Sequence, residues 1–172
     1  MKAETAADVL GMCKRIYLFI ERFPGIHYRE LQRQAKTGRG NLDHHLKKLL
    51  RLNLIKTDRQ ERRRFYPLGL NERERHLLSV LRQRMFRKII IILLRGGALT
   101  HKALVRHIGL SPSSVTRYLE KLACKQIIAV KKSGREKRYC VLDEPEVARI
   151  LIAYRESFLD KLVDNFVEFW EE

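Results

Sequence analysis

Apolar residues recur along this chain in one order, twice. Leu31, Leu46, Leu49 and Ile55 have identical counterparts 73 residues further on, at Leu104, Leu119, Leu122 and Ile128, and at the same offset Arg62 and Tyr66 fall on Arg135 and Tyr139. Ile16 falls on Ile89, and conservative pairs fill the spaces between: Phe19 with Ile92, Ile26 with Leu99, Leu42 with Val115. An apolar frame held in register from 15–68 to 88–141 without gaps marks an internal duplication. A period this long, present twice, predicts two small domains in tandem rather than a solenoid.

Each copy predicts the same elements. In the first, 5–22 reads as a helix that is apolar on all sides at 16–20 and therefore needs covering on all sides. Pro24-Gly25 ends it. A short helix follows at 28–36, then a glycine-containing turn, then a strongly periodic helix at 41–52 with Leu42, His45, Leu46 and Leu49 on one face. Two strand-like runs, 54–57 and 64–68, flank a charged hairpin. The second copy repeats this. A helix apolar all round spans 86–95, and Gly96-Gly97 breaks it. Thr100 caps the next helix. Gly109 stops that helix. Ser111-Pro112 starts a helix that runs to about 125. Strands at 127–131 and 137–142 enclose Ser133-Gly134, which suits a tight turn. Asn71 caps a linker helix at 72–83, and 145–170 reads as one long amphipathic helix.

The predicted fold is mainly α with small β-hairpin wings. It divides into an N-terminal domain at 1–69, a linker helix at 70–85, a second domain at 86–143 and an acidic C-terminal helix at 144–172.

Charge changes the picture from architecture to partner. The chain of 172 residues carries a net charge of +16. Residues 144–172 hold 8 acids and 3 bases, so 1–143 hold 33 bases against 12 acids, a net of +21. The basic charge sits in the repeats, and it points to a polyanion, nucleic acid before membrane. The apolar run at 89–94 is too short to span a bilayer, and no membrane association is expected. Nothing at the start reads as a signal peptide, and Cys13, Cys124 and Cys140 form no CxxC pair, which suits a reducing cytoplasm. The six histidines and three cysteines show no ligand spacing, so neither metal nor cofactor is expected. There is no phosphate-binding loop, HExxH or nucleophile elbow, and an enzyme is not expected.

A third helix with one buried and one polar face, followed by a basic hairpin, suits duplex DNA. The helix fits the major groove, and Arg, Lys, Asn, Ser and Thr read base edges or hold phosphates. The candidate contacts in copy one are Arg39, Asn41, His44, Lys47 and Lys48, with Arg62, Arg63 and Arg64 in the hairpin. In copy two they are Ser113, Ser114, Thr116, Arg117 and Lys121, with Lys131, Lys132, Arg135 and Lys137 in the hairpin. Arg117 is the foremost base-contact candidate. Asp43 either accepts from cytosine or pairs with Lys47, and His45 is read as a packed or flanking residue. Tyr66 and Tyr139 are read as core beneath the hairpins.

The stretch "GIHYRELQRQAKTGRGNLDHHLKKLLRLNLIK" with "RRRFYP" resembles a winged helix-turn-helix domain, and so does "LTHKALVRHIGLSPSSVTRYLEKLACKQIIAV" with "GREKRYCVL". Together they resemble the tandem winged-helix transcription regulators of archaea, related to the ArsR and MarR groups. The second copy is the sharper match through "LSPSSVTRYLEKL". The first departs, with Gly38 and Gly40 in place of the serine-proline start and His44-His45 in place of an Arg-aromatic pair. The resemblance implies sequence-directed binding of double-stranded DNA, transcription regulation and often dimerisation. A cytoplasmic, nucleoid-associated protein is expected.

The acidic tail needs a partner for its apolar stripe. The candidate dimer or interdomain residues are Ile16, Phe19, Ile89, Leu151, Tyr154, Phe158, Leu162, Phe166 and Phe169. A homodimer is favoured over an intramolecular clasp. Two other functional classes stay open: a sequence-tolerant architectural chromatin protein, and a protein-interaction module of the transcription machinery.

Overall fold

A computed structural model describes residues 6–58, 63–134, 136–158 and 160–171. The chain forms two compact units, Met1–Ser79 and Val80–Glu172.

Unit 1 begins with α1 (Ala6–Arg22), whose inner face is Cys13, Ile16 and Ile20. The left-handed Gly25 (φ +75) then turns the chain into β1 (Ile26–His27). A Cβ on Gly25 would sit 3.1 Å from the Tyr66 ring, so both backbone and space demand glycine. The two following helices are α2 (Tyr28–Ala35), capped by the His27 ring on the Arg29 N–H, and α3 (Arg39–Arg51). A hairpin closes the sheet, β2 (Ile55–Asp58) and β3 (Arg64–Pro67), in the order β1-β3-β2. Ile16, Ile20, Ile26, Leu31, Leu42, Leu46, Leu49, Ile55 and Phe65 make one core.

The next helix, α4 (Glu72–Leu81), contains the boundary between the units. Asn71 and Glu74 form a reciprocal capping box at its start: each side chain accepts the other's backbone N–H at 2.9 Å.

Unit 2 repeats the plan with α5 (Arg84–Gly96), β4 (Leu99–Thr100), α6 (His101–Ile108), α7 (Pro112–Cys124), β5 (Ile128–Ser133) and β6 (Glu136–Val141). Its sheet order is β4-β6-β5. The caps are those the sequence predicts: Thr100 on the Ala103 N–H, Ser111 on the Ser114 N–H with Pro112 in the first turn, and a left-handed Gly109. The offset of 73 is kept to the residue by α2 and α6, and by α3 and α7. It extends to backbone conformation, since Asn53 and Gln126 both have positive φ, as do Lys36 and Gly109.

The gapless register ends at the hairpins. Ile26 pairs with Phe65, whereas Leu99 pairs with Tyr139. Tyr139 is therefore the counterpart of Phe65, and Cys140 that of Tyr66. The second hairpin accommodates one more residue, which moves β6 one place along. Tyr66 is fully buried and Tyr139 only half-buried.

The tail departs from one long helix. It forms α8 (Glu144–Ala153), a 3-10 turn (Arg155–Ser157) and α9 (Lys161–Glu171). Asp160 starts the second helix, accepting the Leu162 N–H on its side chain and the Val163 N–H on its carbonyl. The break rotates the stripe. Val147, Ile150, Leu151 and Phe158 are buried as expected, but on α9 the buried face is Val163, Phe166 and Val167, while Leu162 is half-buried and Phe169 exposed. α9 packs on α5. This explains how a helix apolar on every side is accommodated: Phe86, Ile89, Ile90, Ile91, Leu93 and Leu94 are all buried. α1 is different, because Leu18 stays 48% exposed.

Candidate nucleic-acid interface

In unit 2 the first turns of α7 present a polar surface. Burial of Val115, Leu119 and Leu122 fixes the inner face of the helix, so Ser113, Thr116, Arg117, Glu120 and Lys121 emerge exposed and Ser114 half-buried. Ser111 organises the turn through its cap and through its hydroxyl, which donates to Ser114 Oγ at 2.9 Å. The Thr116 hydroxyl donates to the Pro112 carbonyl at 3.0 Å and lies 2.9 Å from His101 Nε2. That contact fastens α6 to α7 and occupies a hydroxyl the sequence suggested was free for DNA. Lys88 adds a second brace, donating to the Ile108 carbonyl at the end of α6. Neither His101 nor Lys88 could be picked out in advance, because each acts through a partner more than ten residues away.

The β5-β6 hairpin sets like charges against each other. Lys131 lies opposite Arg138, and Lys132 opposite Lys137, all four exposed. Successive pairs point to opposite faces of a ribbon, so each face carries two cations side by side. Directly opposed like charges destabilise a strand pair by themselves. Arg138 was not anticipated; only the strand register shows it as the partner of Lys131. Arg135 lies outside the described residues.

Unit 1 has the same scaffold with different chemistry. Arg39, His44 and Lys47 are exposed on α3, and Asn41 and Lys48 half-buried. Gly38 precedes α3 with no side-chain cap. Asp43 pairs with Arg63 at 3.7 Å, not with Lys47. Arg63 also lies over the Tyr28 and Phe65 rings, at 5.9 and 5.2 Å. The Tyr28 hydroxyl donates to the Arg39 carbonyl at 3.3 Å. Its pKa is raised, first by burial and then by the neighbouring Asp43 carboxylate. Arg64 donates to the Gly25 carbonyl at 2.8 Å. The guanidiniums of Arg63 and Arg64 are thus used to hold their own unit together. Arg62 lies outside the described residues.

The residues proposed for a dimer or interdomain contact are mostly inside their own units. Ile16 belongs to the core of unit 1, and Ile89, Leu151 and Phe166 are fully buried in unit 2. Phe158 is buried beneath Arg87, whose guanidinium sits 5.2 Å from its ring. Phe19, Tyr154 and Leu162 are half-buried. Phe169 is 47% exposed, with Arg95 over its ring, and Trp170 beside it is 38% exposed. Among the described residues no group of three or more His, Cys, Asp or Glu could hold a metal, and no helix is long and apolar enough to cross a membrane.

Residues 12–78 match a family described as an N-terminal HTH domain, and residues 87–128 match the winged helix-turn-helix DNA-binding family. No curated protein matches the chain. Among solved structures it is similar to the AntR antimony-specific transcriptional repressor, at 28% identity over 43% of this chain and 66% of that one, with a TM-score of 0.39. It is also similar to the DIP2311 protein of Corynebacterium diphtheriae, at 16% identity over 76% of this chain and 26% of that one, with a TM-score of 0.32. The chain spans just under two thirds of the first protein's length and about a quarter of the second's.

Proposed function

We propose that this chain, which carries a helix-turn-helix domain at 12–78 and a winged helix-turn-helix DNA-binding domain at 87–128, is a sequence-specific regulator of transcription that reads double-stranded DNA chiefly through its second unit. The observation that carries the reading is the pair of like-charged rungs, Lys131 with Arg138 and Lys132 with Lys137, on the two faces of one hairpin. A ribbon cationic on both faces suits a groove with a phosphate strand on either side. The exposed Arg117 and Lys121 of α7 then supply the major-groove contacts, with Ser113 and Ser114 at the first turn. Unit 1 contributes Arg39, His44 and Lys47 from α3 and adds affinity more than selectivity, since its wing arginines Arg63 and Arg64 are tied to their own framework.

The protein acts as a homodimer in the cytoplasm, associated with the nucleoid. Two copies meet through the surface around Phe169 and Trp170, which borders an open cleft of about 400 Å³ lined by Pro145, Arg149, Ile152, Ala153 and Trp170. Exposed aromatics and a cleft on one surface can engage reciprocally across a two-fold axis. Such a dimer needs a symmetric site with half-sites about 34 Å apart or a multiple of that.

Titration of one duplex over a range of salt concentrations tests the role of the wing. Each phosphate contact contributes about 0.9 to the slope of log affinity against log salt. Replacing Lys131, Lys132, Lys137 and Arg138 by alanine should lower that slope by about 3.6. An unchanged slope would remove the hairpin from the interface.

A further inference from the structure

We propose that Cys13 and His45 form a peroxide-reactive thiol site in the core of unit 1, and that oxidation of Cys13 unseats α3. A consequence for DNA binding rests on the DNA-binding reading above; the thiol chemistry and the displacement of α3 do not.

Cys13 lies on the inner face of α1 and is 8% exposed, and His45 lies on the inner face of α3 and is fully buried. The Cys13 Sγ is 3.1 Å from His45 Nδ1. These positions belong to apolar faces, Cys13 with Ile16 and Ile20, His45 with Leu42, Leu46 and Leu49. Placing an imidazole there is unfavourable compared with a hydrocarbon of the same shape. The second unit supplies the comparison. At the offset of 73 the two positions become Phe86 and Tyr118, whose rings meet edge to face at 5.7 Å and 87°. The same scaffold therefore joins its first and third helices in unit 2 with an inert aromatic contact. Unit 1 replaces both members with a nucleophile and a base. The other buried cysteine among the described residues, Cys140 in unit 2, sits differently: its Sγ lies 4.0 Å from the Ala129 carbonyl, which cannot take a proton.

The thiolate is the reactive form of cysteine. With the imidazole neutral and its proton on Nε2, the thiol donates to Nδ1, and His45 receives the proton as the sulfur attacks a peroxide oxygen. The O–O bond breaks, an S–O bond forms, and the departing hydroxide or alkoxide takes the proton back from the imidazolium. The balance is one thiol and one hydroperoxide giving one sulfenic acid and one water or alcohol. Sulfur loses two electrons and the peroxide gains them; one added thiol condenses with the sulfenic acid to a mixed disulfide and water, and a second exchanges with that disulfide to restore Cys13. An added oxygen has no room in a 3.1 Å contact within a close-packed core. α1 and α3 must move apart, and α3 carries Arg39, His44 and Lys47.

The test is to treat the full chain with hydrogen peroxide, trap sulfenic acid with a 1,3-dione and locate the adduct by peptide mass. An adduct at Cys13 is expected, formed at least about tenfold more slowly in His45→Tyr, which carries the residue unit 2 uses. Should His45→Tyr not fold, the wild-type chain alone decides: native Cys13 must react faster than Cys13 in urea, where it is exposed but has lost its base. A faster reaction in urea, or an adduct on Cys124 with none on Cys13, would overturn the proposal. The double variant Cys13→Phe/His45→Tyr should bind DNA regardless of peroxide, whereas the wild type should lose affinity on oxidation. If neither protein binds DNA before treatment, the DNA reading fails while the adduct map still decides the thiol site.

Discussion

Arg87 of α5 and Asp160 at the start of α9 meet at 2.8 Å with their side chains only 6% and 12% exposed. Arg87 also donates to the Leu81 carbonyl at 2.6 Å and covers the Phe158 ring. One side chain thus closes the end of α4, the 3-10 turn of the tail and the head of α9. Removing one member of a buried ion pair leaves the other charge uncompensated. Asp160→Ala should destabilise unit 2 by about 3 kcal/mol, measured by urea denaturation. A loss below about 0.5 kcal/mol would mean that the pair behaves as a surface bridge.

The same carboxylate gives unit 2 an acid limit. Burial alone would raise the pKa of Asp160, but hydrogen bonds from Arg87 and the Leu162 N–H, with the charges of Arg87 and Arg84, outweigh it and hold it below its ordinary 3.8. A depressed pKa contributes stability that is fully present above the unfolded value and is lost as pH falls through the folded one. The stability of unit 2 should therefore fall with acid below about pH 4, and Asp160→Asn should flatten that part of the profile. An identical acid limb in both proteins would assign it to other carboxylates.

Lys36 and Gly109 occupy the same left-handed position after α2 and α6, with φ of 50 and 75. Only glycine adopts that conformation without a Cβ penalty. Lys36→Gly should stabilise unit 1 by up to about 1 kcal/mol, and Gly109→Ala should destabilise unit 2 by a similar amount. Thermal melts check both signs.

If Phe169 and Trp170 form the contact between two copies, replacing both with serine should convert a dimer into a monomer in sedimentation velocity while leaving the helix content unchanged. Trp170 is the only tryptophan of the chain, so its fluorescence should shift to the red on dilution of the wild type. A dimer that survives the double substitution would place the interface elsewhere.

Much of this fold was legible in the chain because its signals are local. A hydroxyl before a helix, a proline in its first turn and a glycine after its end act within a few residues, and Thr100, Ser111-Pro112 and Gly109 behave accordingly. The duplicated apolar frame placed the helices of the two copies to within about two residues, as with 41–52 expected where α3 runs Arg39–Arg51 and 86–95 where α5 runs Arg84–Gly96. What stayed hidden depends on pairing. β1 and β4 are two residues each and have no period to detect. The one-residue shift of β6 needs a strand register, and with it come the exchange of Tyr66's counterpart and the role of Arg138. The break in the tail was concealed because spacings of three and four continue across it. The contacts of Arg87 with Phe158 and Asp160, which accompany the break, are tertiary and leave no local signal. The candidate interface could be named from residue types, but whether a cation faces solvent or its own backbone, as Arg64 does on Gly25, is a tertiary fact.

Selection of bound sequences from a random duplex pool at near-physiological salt, with wild type and Arg117→Ala in parallel, tests the central claim most directly. The account predicts one symmetric motif for the wild type, with preference at one position of each half-site relaxed in the variant, at about 1–3 kcal/mol. Tight, salt-sensitive binding with no motif would contradict it and favour a sequence-tolerant architectural protein.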